Sequence, residues 1–182
     1  MSEELIIRYC SPTLAGIKTG NIFACPCQCV DELRAVIRCW NRRLTPKGLR
    51  ILPLRFKDGR AMIYVYRPSR LYCDLTDKTA NRLLSELGYA GKSPEQYLAQ
   101  LIKRLHSEEF PHEIGLFLGY PPEDVCAFIE NRAKNFKCIG CWKVYGDAEA
   151  ARRTFRKYQK CTDIYCARYA SGSTVECLTV TV

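Results

Sequence analysis

Residues 49–66 have the sequence LRILPLRFKDGRAMIYVY, which is typical of a β-hairpin. Two apolar runs, residues 49–56 and 61–66, flank a short polar segment in which Gly59 follows Asp58. A glycine at this point supplies the positive φ that tight hairpin turns require. Pro53 cannot donate a hydrogen bond to a neighbouring strand, so the first strand is predicted to lie at a sheet edge or to be bulged. This is the strongest strand signal in the chain.

Outside the hairpin, helical and strand patterns alternate without regular βαβ units. Periodicity and capping signals predict helices at residues 30–44, 77–87, 93–105, 112–118, 123–132 and 147–171. A further strand is predicted at residues 137–145, with edge strands near residues 5–9 and 174–182, and a turn-rich connection or short helix at 11–23. The predicted fold class is α+β: a small antiparallel or mixed sheet packed with about six helices. A chain of 182 residues is expected to form a single domain, residues 1–182.

The net charge of +9 is distributed unevenly along the chain. Residues 34–70 contain 11 basic side chains and one acidic side chain, residues 132–168 contain ten and three, and residues 71–131 contain five and ten. Five basic residues line the predicted last helix, at Arg152, Arg153, Arg156, Lys157 and Lys160. If the two basic segments adjoin, they form a surface that attracts anions; the alternative is an ordinary solvated face. The leading hypothesis is a binding or accessory protein for an anionic small molecule or an acidic partner.

Sequence-specific DNA binding is not expected. Residues 114–131 have the pattern of two short helices joined by a turn, but Glu123, Asp124 and Glu130 would repel phosphates at the end that should read bases. Non-specific nucleic-acid binding through the basic last helix is an alternative function. Neither glycine-rich phosphate-loop pattern occurs, so a classical nucleotide-binding fold is not predicted.

The apolar runs are too short to cross a bilayer, which takes about 20 residues, and the N-terminus has no signal-peptide pattern. We therefore expect a cytoplasmic protein without membrane insertion, whose 12 cysteines stay reduced.

Five of the cysteines have spacings that raise the question of metal binding. Cys25, Cys27 and Cys29 precede the first long helix, where helix dipoles favour thiolates, and Cys138 and Cys141 have the two-residue gap that zinc and iron–sulfur sites use. A regular strand would place Cys138 and Cys141 on opposite faces unless Gly140 bends the chain. Zinc or iron binding is therefore a secondary hypothesis, and buried or bystander thiols are favoured.

Three stretches resemble a known family: CSPTLAGIKTGNIF at residues 10–23, FPHEIGLFLGYPPEDV at 110–125 and WKVYGD at 142–147. YVYR at 64–67 and CTDIY at 161–165 fit the same pattern, whereas the cysteines at 25–29 do not. The chain resembles the domain-of-unknown-function family numbered 3793, from anaerobic, clostridium-like bacteria. The resemblance implies a bacterial, cytoplasmic protein and assigns no activity.

Four polar residues within these stretches have side chains that could perform chemistry. Cys10 would be the nucleophile, Lys18 a cation, His112 a general base and Glu113 its orienting carboxylate. In the alternative, which we favour, Cys10 packs in the core and His112 caps the N-terminus of a helix. Glu113 then interacts favourably with the dipole of that helix. A small thiol-dependent enzyme or metal-handling protein built on Cys10 and His112 is the runner-up function, and whether the protein is an enzyme stays open.

Overall fold

The computed structural model describes residues 1–91, 93–107 and 109–181. It confirms the α+β class, with nine α-helices, a three-stranded sheet and a two-stranded sheet in these residues. The chain divides into two compact units. The first comprises Met1–Ser69 and Lys160–Val182, and the second comprises Arg70–Gln159. The single domain expected from the chain length stays a prediction.

The first unit contains an antiparallel sheet of three strands, β1 (Gly20–Pro26), β2 (Arg50–Lys57) and β3 (Arg60–Tyr66), in the order β1-β3-β2. β2 and β3 form the predicted hairpin, and its turn residues Asp58 and Gly59 have φ of 49° and 68°. β2 lies at an edge of the sheet, and its register shifts between Pro53 and Arg55. Both consequences expected of Pro53 are therefore confirmed.

Helices cover this sheet. α1 (Glu3–Leu14) and α2 (Val30–Leu44) precede and follow β1, and a 3-10 turn (Thr45–Lys47) leads into β2. α2 matches its prediction, because Leu33, Ile37, Trp40 and Leu44 recur at helical spacing and are all buried. These residues join one hydrophobic core with side chains from α1, β1, β2 and β3.

The prediction of a strand at residues 5–9 is wrong, because this stretch lies inside α1. Its β-branched residues suggested a strand, but the Ser2 hydroxyl accepts a hydrogen bond from the Leu5 backbone N–H and caps a helix. Ile6, Ile7, Cys10 and Leu14 then fall on one buried helical face. The prediction for residues 11–23 missed β1, whose pairing partner β3 is 40 residues away in the sequence.

The prediction of a strand at residues 174–182 is also wrong, and Val182 lies outside the described residues. The chain forms a short helix, α9 (Val175–Leu178), in which the Thr174 hydroxyl accepts a hydrogen bond from the Cys177 backbone N–H. Val175 and Leu178, three residues apart, are buried in the core of the first unit. Leu178 and Val180 therefore share no strand: Leu178 ends α9 and is buried, whereas Val180 follows the helix and is 46% exposed.

Arg67 follows β3 and is fully buried in the first unit. Its guanidinium donates to the carbonyl oxygens of Thr13 at 2.7 Å, Leu14 at 2.6 Å, Val180 at 2.8 Å and Lys47 at 3.2 Å. Two of these carbonyls belong to the last turn of α1, whose dipole favours a cation. Arg67 belongs to the basic segment 34–70, but its buried guanidinium cross-links the interior of the first unit and is not part of a basic surface.

The second unit contains most of α3 (Pro68–Thr76), then α4 (Lys78–Glu86), α5 (Pro94–Arg104), α6 (Ile114–Phe117) and α7 (Pro122–Glu130). Two short strands, β4 (Cys138–Ile139) and β5 (Lys143–Val144), lead into α8 (Ala148–Ala170), within which the division between the units falls. Ser93 and Asp147 cap α5 and α8 with their side chains, as the capping signals predict, and Asp77 caps α4 in the same way.

Two predictions for this region need correction. Residues 137–145 form the hairpin β4–β5 instead of one strand, because the chain reverses where the Gly140 N–H donates to the Trp142 carbonyl at 3.1 Å. The described residues contain nine α-helices instead of about six; α1, α3 and α9 were missed.

No helix in the described ranges combines the length and apolar composition needed to cross a membrane.

Candidate functional site

The second unit contains a cavity of about 190 Å³, which we call the aromatic cavity. Five of its lining residues carry rings, namely Phe110, His112, Tyr120, Phe128 and Trp142. Ile114, Gly115 and Val125 add apolar surface, and Asp124 and Lys143 add the charged groups. The cavity is thus mostly apolar with a few polar groups, which is the usual composition of a small-molecule site.

The α6–α7 hairpin forms one wall of the cavity, and Gly115 allows its two helices to pack closely. A Cβ at this position would lie 2.9 Å from a Val125 methyl carbon and 3.1 Å from the Tyr120 ring. The Tyr120 N–H donates to the Gly115 carbonyl at 3.0 Å and thereby fixes the turn between the helices. Burial raises the pKa of Tyr120 to about 12, so its hydroxyl stays protonated at neutral pH.

Asp124 connects this hairpin to the β4–β5 hairpin. Its carboxylate is 4% exposed and accepts three hydrogen bonds, from the Trp142 indole N–H at 2.7 Å and from the Tyr145 and Gly146 backbone N–H groups at 2.8 Å each. Trp142 also packs edge-on against Phe155 of α8, with ring centroids 4.6 Å apart. The indole is therefore held on two sides before any ligand arrives.

Lys143 and His112 place further polar groups on the cavity wall. The Lys143 ammonium donates to the Ala133 carbonyl at 2.8 Å and lies 5.8 Å from the ring centroid of Phe128 and 4.7 Å from that of Phe136. His112 packs edge-on against Phe128, with centroids 5.1 Å apart. The alternative in which His112 caps a helix is wrong, because Glu113 is the N-cap of α6 and that cap has no side-chain hydrogen bond.

The four candidate catalytic residues divide between the units. Cys10 and Lys18 lie in the first unit and His112 and Glu113 in the second. Cys10 is fully buried, and burial raises the pKa of its thiol although the nearby Lys18 ammonium opposes the shift. Lys18 is buried and donates to the Gly20 carbonyl. A nucleophilic cysteine needs the opposite environment, partly exposed and with a lowered pKa.

Glu113 is buried, and its carboxylate contacts Tyr89 and Arg104 instead of orienting His112. Its Oε1 accepts a hydrogen bond from the Tyr89 hydroxyl at 2.9 Å and forms an ion pair with the Arg104 Nε at 2.6 Å. Burial and the neighbouring Glu113 raise the pKa of Tyr89. In the part of the chain that the structure describes, no hydrogen bond joins Glu113 to the His112 ring. The contacts of Glu113 with Tyr89 and Arg104 therefore have a structural role.

The candidate metal ligands also divide between the units. Cys25, Cys27 and Cys29 lie in the first unit, where Cys25 is buried with a pKa raised by burial, and Cys27 is 3.6 Å from the Cys29 carbonyl. Cys138 and Cys141 flank the β4–β5 turn of the second unit, where the chain does bend at Gly140. Within residues 1–91, 93–107 and 109–181, no three His, Cys, Asp or Glu side chains are grouped to hold a metal ion.

The predicted anion-binding residues lie on α8 and are exposed: Arg152, Arg153, Arg156, Lys157 and Lys160. Arg153 forms an i,i+4 ion pair with Glu149 at 3.7 Å. Both partners of that pair are mostly exposed, so the pair contributes little to stability and leaves the guanidinium open to other anions. The basic face of the helix is therefore present as predicted, and its ligand stays a prediction.

Sequence reasoning named His112 but missed the rest of the aromatic cavity. The sequence indicates Asp124 only as a charge that opposes nucleic acid, and it predicts none of Tyr120, Phe128, Trp142 and Lys143 as a site residue. The stretches 110–125 and 142–147 contain most of these residues, and both were noted for their resemblance to a family. A concentration of aromatic rings with a few charged residues in two short stretches was the signal that could have identified the site.

No curated protein and no solved structure matches this chain. A family model described as "Protein of unknown function (DUF3793)" matches residues 6–179, which is nearly the whole chain and includes every residue of the aromatic cavity. The chain belongs to this family of unknown function.

Proposed function

We propose that this protein binds a small planar molecule in the aromatic cavity. The observation that carries the proposal is the cavity itself, which combines aromatic walls with fixed polar groups. Aromatic side chains contribute about 0.5–1.5 kcal/mol per ring pair beyond the area that they bury. A ligand with its own ring would stack on walls of this kind.

The size of the cavity limits the ligand to roughly one ring. An engineered apolar cavity of about 150 Å³ takes up benzene, and pockets for drug-sized molecules are about 300–1,000 Å³. At about 190 Å³ the aromatic cavity accommodates one six-membered ring with a small substituent. Such fragments gain little binding energy in total, so we expect a Kd on the order of 1 mM for a simple probe.

Rigid cavity walls support the proposal, because their side chains are already ordered before a ligand binds. Asp124 holds Trp142 and the two residues that follow β5 through three hydrogen bonds, and Phe155 packs edge-on against the indole. Binding sites that are fixed in advance lose less entropy when a ligand enters.

Titration with benzamide, a neutral single-ring probe, tests the proposal. The chain has two tryptophans, and Trp40→Phe leaves only Trp142, in the cavity. We expect benzamide to change Trp142 fluorescence in a saturable way. In this background Phe128→Leu is expected to weaken binding about threefold to tenfold, because it removes a ring from the wall.

The matched control is Phe56→Leu, since Phe56 is also half-buried but lies in the first unit. This change should leave benzamide affinity as it is. A Trp142 signal that does not respond to benzamide, or equal affinities in the Phe128→Leu and Phe56→Leu variants, contradicts the proposed function.

The basic face of α8 favours a second candidate function, the binding of an anionic surface partner. Five exposed cations lie within nine residues of one helix. Their electrostatic potentials add up, so that together they attract a polyanion. With inorganic polyphosphate as the probe, we expect Arg152→Glu with Arg156→Glu to reduce affinity about tenfold at low ionic strength, and the difference to shrink as salt is added.

Lys78→Glu with Arg82→Glu on α4 is the control, because it changes the net charge by the same amount at two other exposed positions. Equal losses in the two double variants would mean that polyphosphate responds to net charge alone, and the second candidate would be abandoned.

We also propose a bacterial, cytoplasmic setting. The resemblance to a family of anaerobic, clostridium-like bacteria supports it.

A further inference from the structure

The two charged groups in the wall of the aromatic cavity differ in how far they are already engaged. The Asp124 carboxylate accepts three hydrogen bonds that surround both of its oxygens, and Trp142 supplies one of them. A carboxylate satisfied in this way has little capacity left to attract a cation. The Asp124 carboxylate therefore stabilises the cavity wall through its hydrogen bonds and is not available to a ligand.

Lys143 is much less engaged. It is half-buried, and within the described ranges its ammonium donates one hydrogen bond, to the Ala133 carbonyl, and belongs to no ion pair. An ammonium carries three N–H donors. Contacts with the Phe128 and Phe136 rings stabilise the cation but neutralise none of its charge.

The backbone that holds Lys143 has an uncommon conformation. Arg132, Ala133 and Asn135 all have positive φ, at 48°, 61° and 59°. For residues other than glycine this region is costly, and it persists where the surrounding structure requires it. Here it presents the Ala133 carbonyl to the Lys143 ammonium and thereby fixes the cation at the cavity wall.

His112 supplies a second donor on the same wall. Its ring contacts Phe110 and Phe128, and no hydrogen bond to the ring is present in the part of the chain that the structure describes. An imidazole carries at least one N–H donor in either protonation state. The cavity thus offers a cation and a second donor to a ligand, and no comparably open acceptor charge.

We propose that the ligand of the aromatic cavity is a small aromatic carboxylate, with its ring between the aromatic walls and its carboxylate on Lys143. This inference rests on the proposed function and adds the chemical class of the ligand. His112 donates a second hydrogen bond to the same carboxylate. The charge-assisted contact with Lys143 is the main source of discrimination, because such bonds are stronger than neutral ones.

A cationic ligand is the natural alternative, since aromatic cages bind quaternary ammonium groups. Lys143 opposes that alternative in two ways. Its ammonium repels a second cation, and it already lies near the Phe128 ring that such a cation would use.

Three probes of nearly equal shape test the inference: benzoate, benzamide and benzamidine, whose charges are −1, 0 and +1. We expect benzoate to bind about tenfold more tightly than benzamide, and benzamidine to bind most weakly. Lys143→Met should lower benzoate affinity about tenfold and benzamide affinity much less, because a neutral amide accepts a weaker hydrogen bond from the ammonium than a carboxylate does. Lys137→Met is the matched control, because Lys137 also donates to a backbone carbonyl at 2.8 Å but does not line the cavity.

A second measurement on the unaltered protein gives the same information without a variant. Benzoate affinity should fall as ionic strength rises, whereas benzamide affinity should stay constant. Benzamide and benzoate that bind equally, with equal salt dependence, overturn the inference and leave the proposed function standing. Benzamidine as the tightest probe also overturns it, in favour of a cationic ligand. Failure of all three probes to bind overturns the inference together with the proposed function.

Discussion

Arg67→Met is expected to lower the free energy of unfolding by roughly 3–5 kcal/mol. The methionine fills a similar apolar volume but removes the guanidinium donors from four carbonyls, two in buried and two in part-buried hydrogen bonds. These carbonyls come from α1, the 3-10 turn and the segment after α9, so the change disconnects three parts of the first unit. Urea unfolding followed by far-UV circular dichroism measures the loss.

Arg67→Lys should have an intermediate effect, since it keeps the charge but supplies fewer donors in a different geometry. Arg38→Met is the control, because Arg38 is exposed on α2 and its loss should change stability by no more than about 0.5 kcal/mol. If Arg67→Met is as stable as Arg38→Met, the guanidinium does not hold the first unit together.

Asp124→Asn is expected to destabilise the protein by about 2 kcal/mol. The asparagine carbonyl can still accept from the Tyr145 and Gly146 backbone N–H groups, but its amide N–H₂ then meets the Trp142 indole N–H, and two donors oppose each other. In a Trp142→Phe background that conflict is absent. The same change should then cost at least about 1 kcal/mol less, which a double-mutant cycle by urea unfolding detects.

Asp77→Asn is a close control for this substitution. Asp77 also accepts two backbone N–H bonds with one oxygen, but it is the exposed N-cap of α4, where asparagine serves as well as aspartate. It should be nearly neutral. An Asp124→Asn loss that is the same with and without the Trp142 indole would contradict the coupling of the two hairpins through this carboxylate.

Elements with strong local signals were predictable from the sequence. The β2–β3 hairpin follows from Asp58-Gly59 between two apolar runs, and α2 follows from its apolar period and its charged ends. The N-caps Ser93 and Asp147 could be identified because a capping side chain bonds to backbone within three residues. Such interactions depend only on residues that are close together in the sequence.

Elements that depend on distant contacts were not predictable in this way. β1 has no periodic signal of its own and becomes a strand because β3 offers it hydrogen bonds from residues 60–66. Ile6 and Ile7 favour a strand by propensity, and burial of one face of α1 overrides that preference. Arg67 resembled a surface cation because its four carbonyl partners come from segments up to 113 residues away.

The candidate site shows the same limit. His112 attracted attention because the chain has only two histidines, but its expected partners Cys10 and Glu113 are committed elsewhere by burial and by the Arg104 ion pair. Asp124 looked like a solvated acid until the fold placed three donors around it. Cavity shape and hydrogen-bond saturation are properties of the packed chain, and no local pattern encodes them.

The most direct test of the proposed ligand site is an NMR experiment with methyl-labelled protein and saturating benzoate. Ile114 and Val125 line the aromatic cavity, whereas Ile63 and Val65 lie in the core of the first unit. We predict intermolecular nuclear Overhauser effects between the benzoate ring protons and the methyl groups of Ile114 and Val125, with none to Ile63 or Val65. Benzoate that binds but shows these effects only to methyl groups outside the cavity would contradict the central claim.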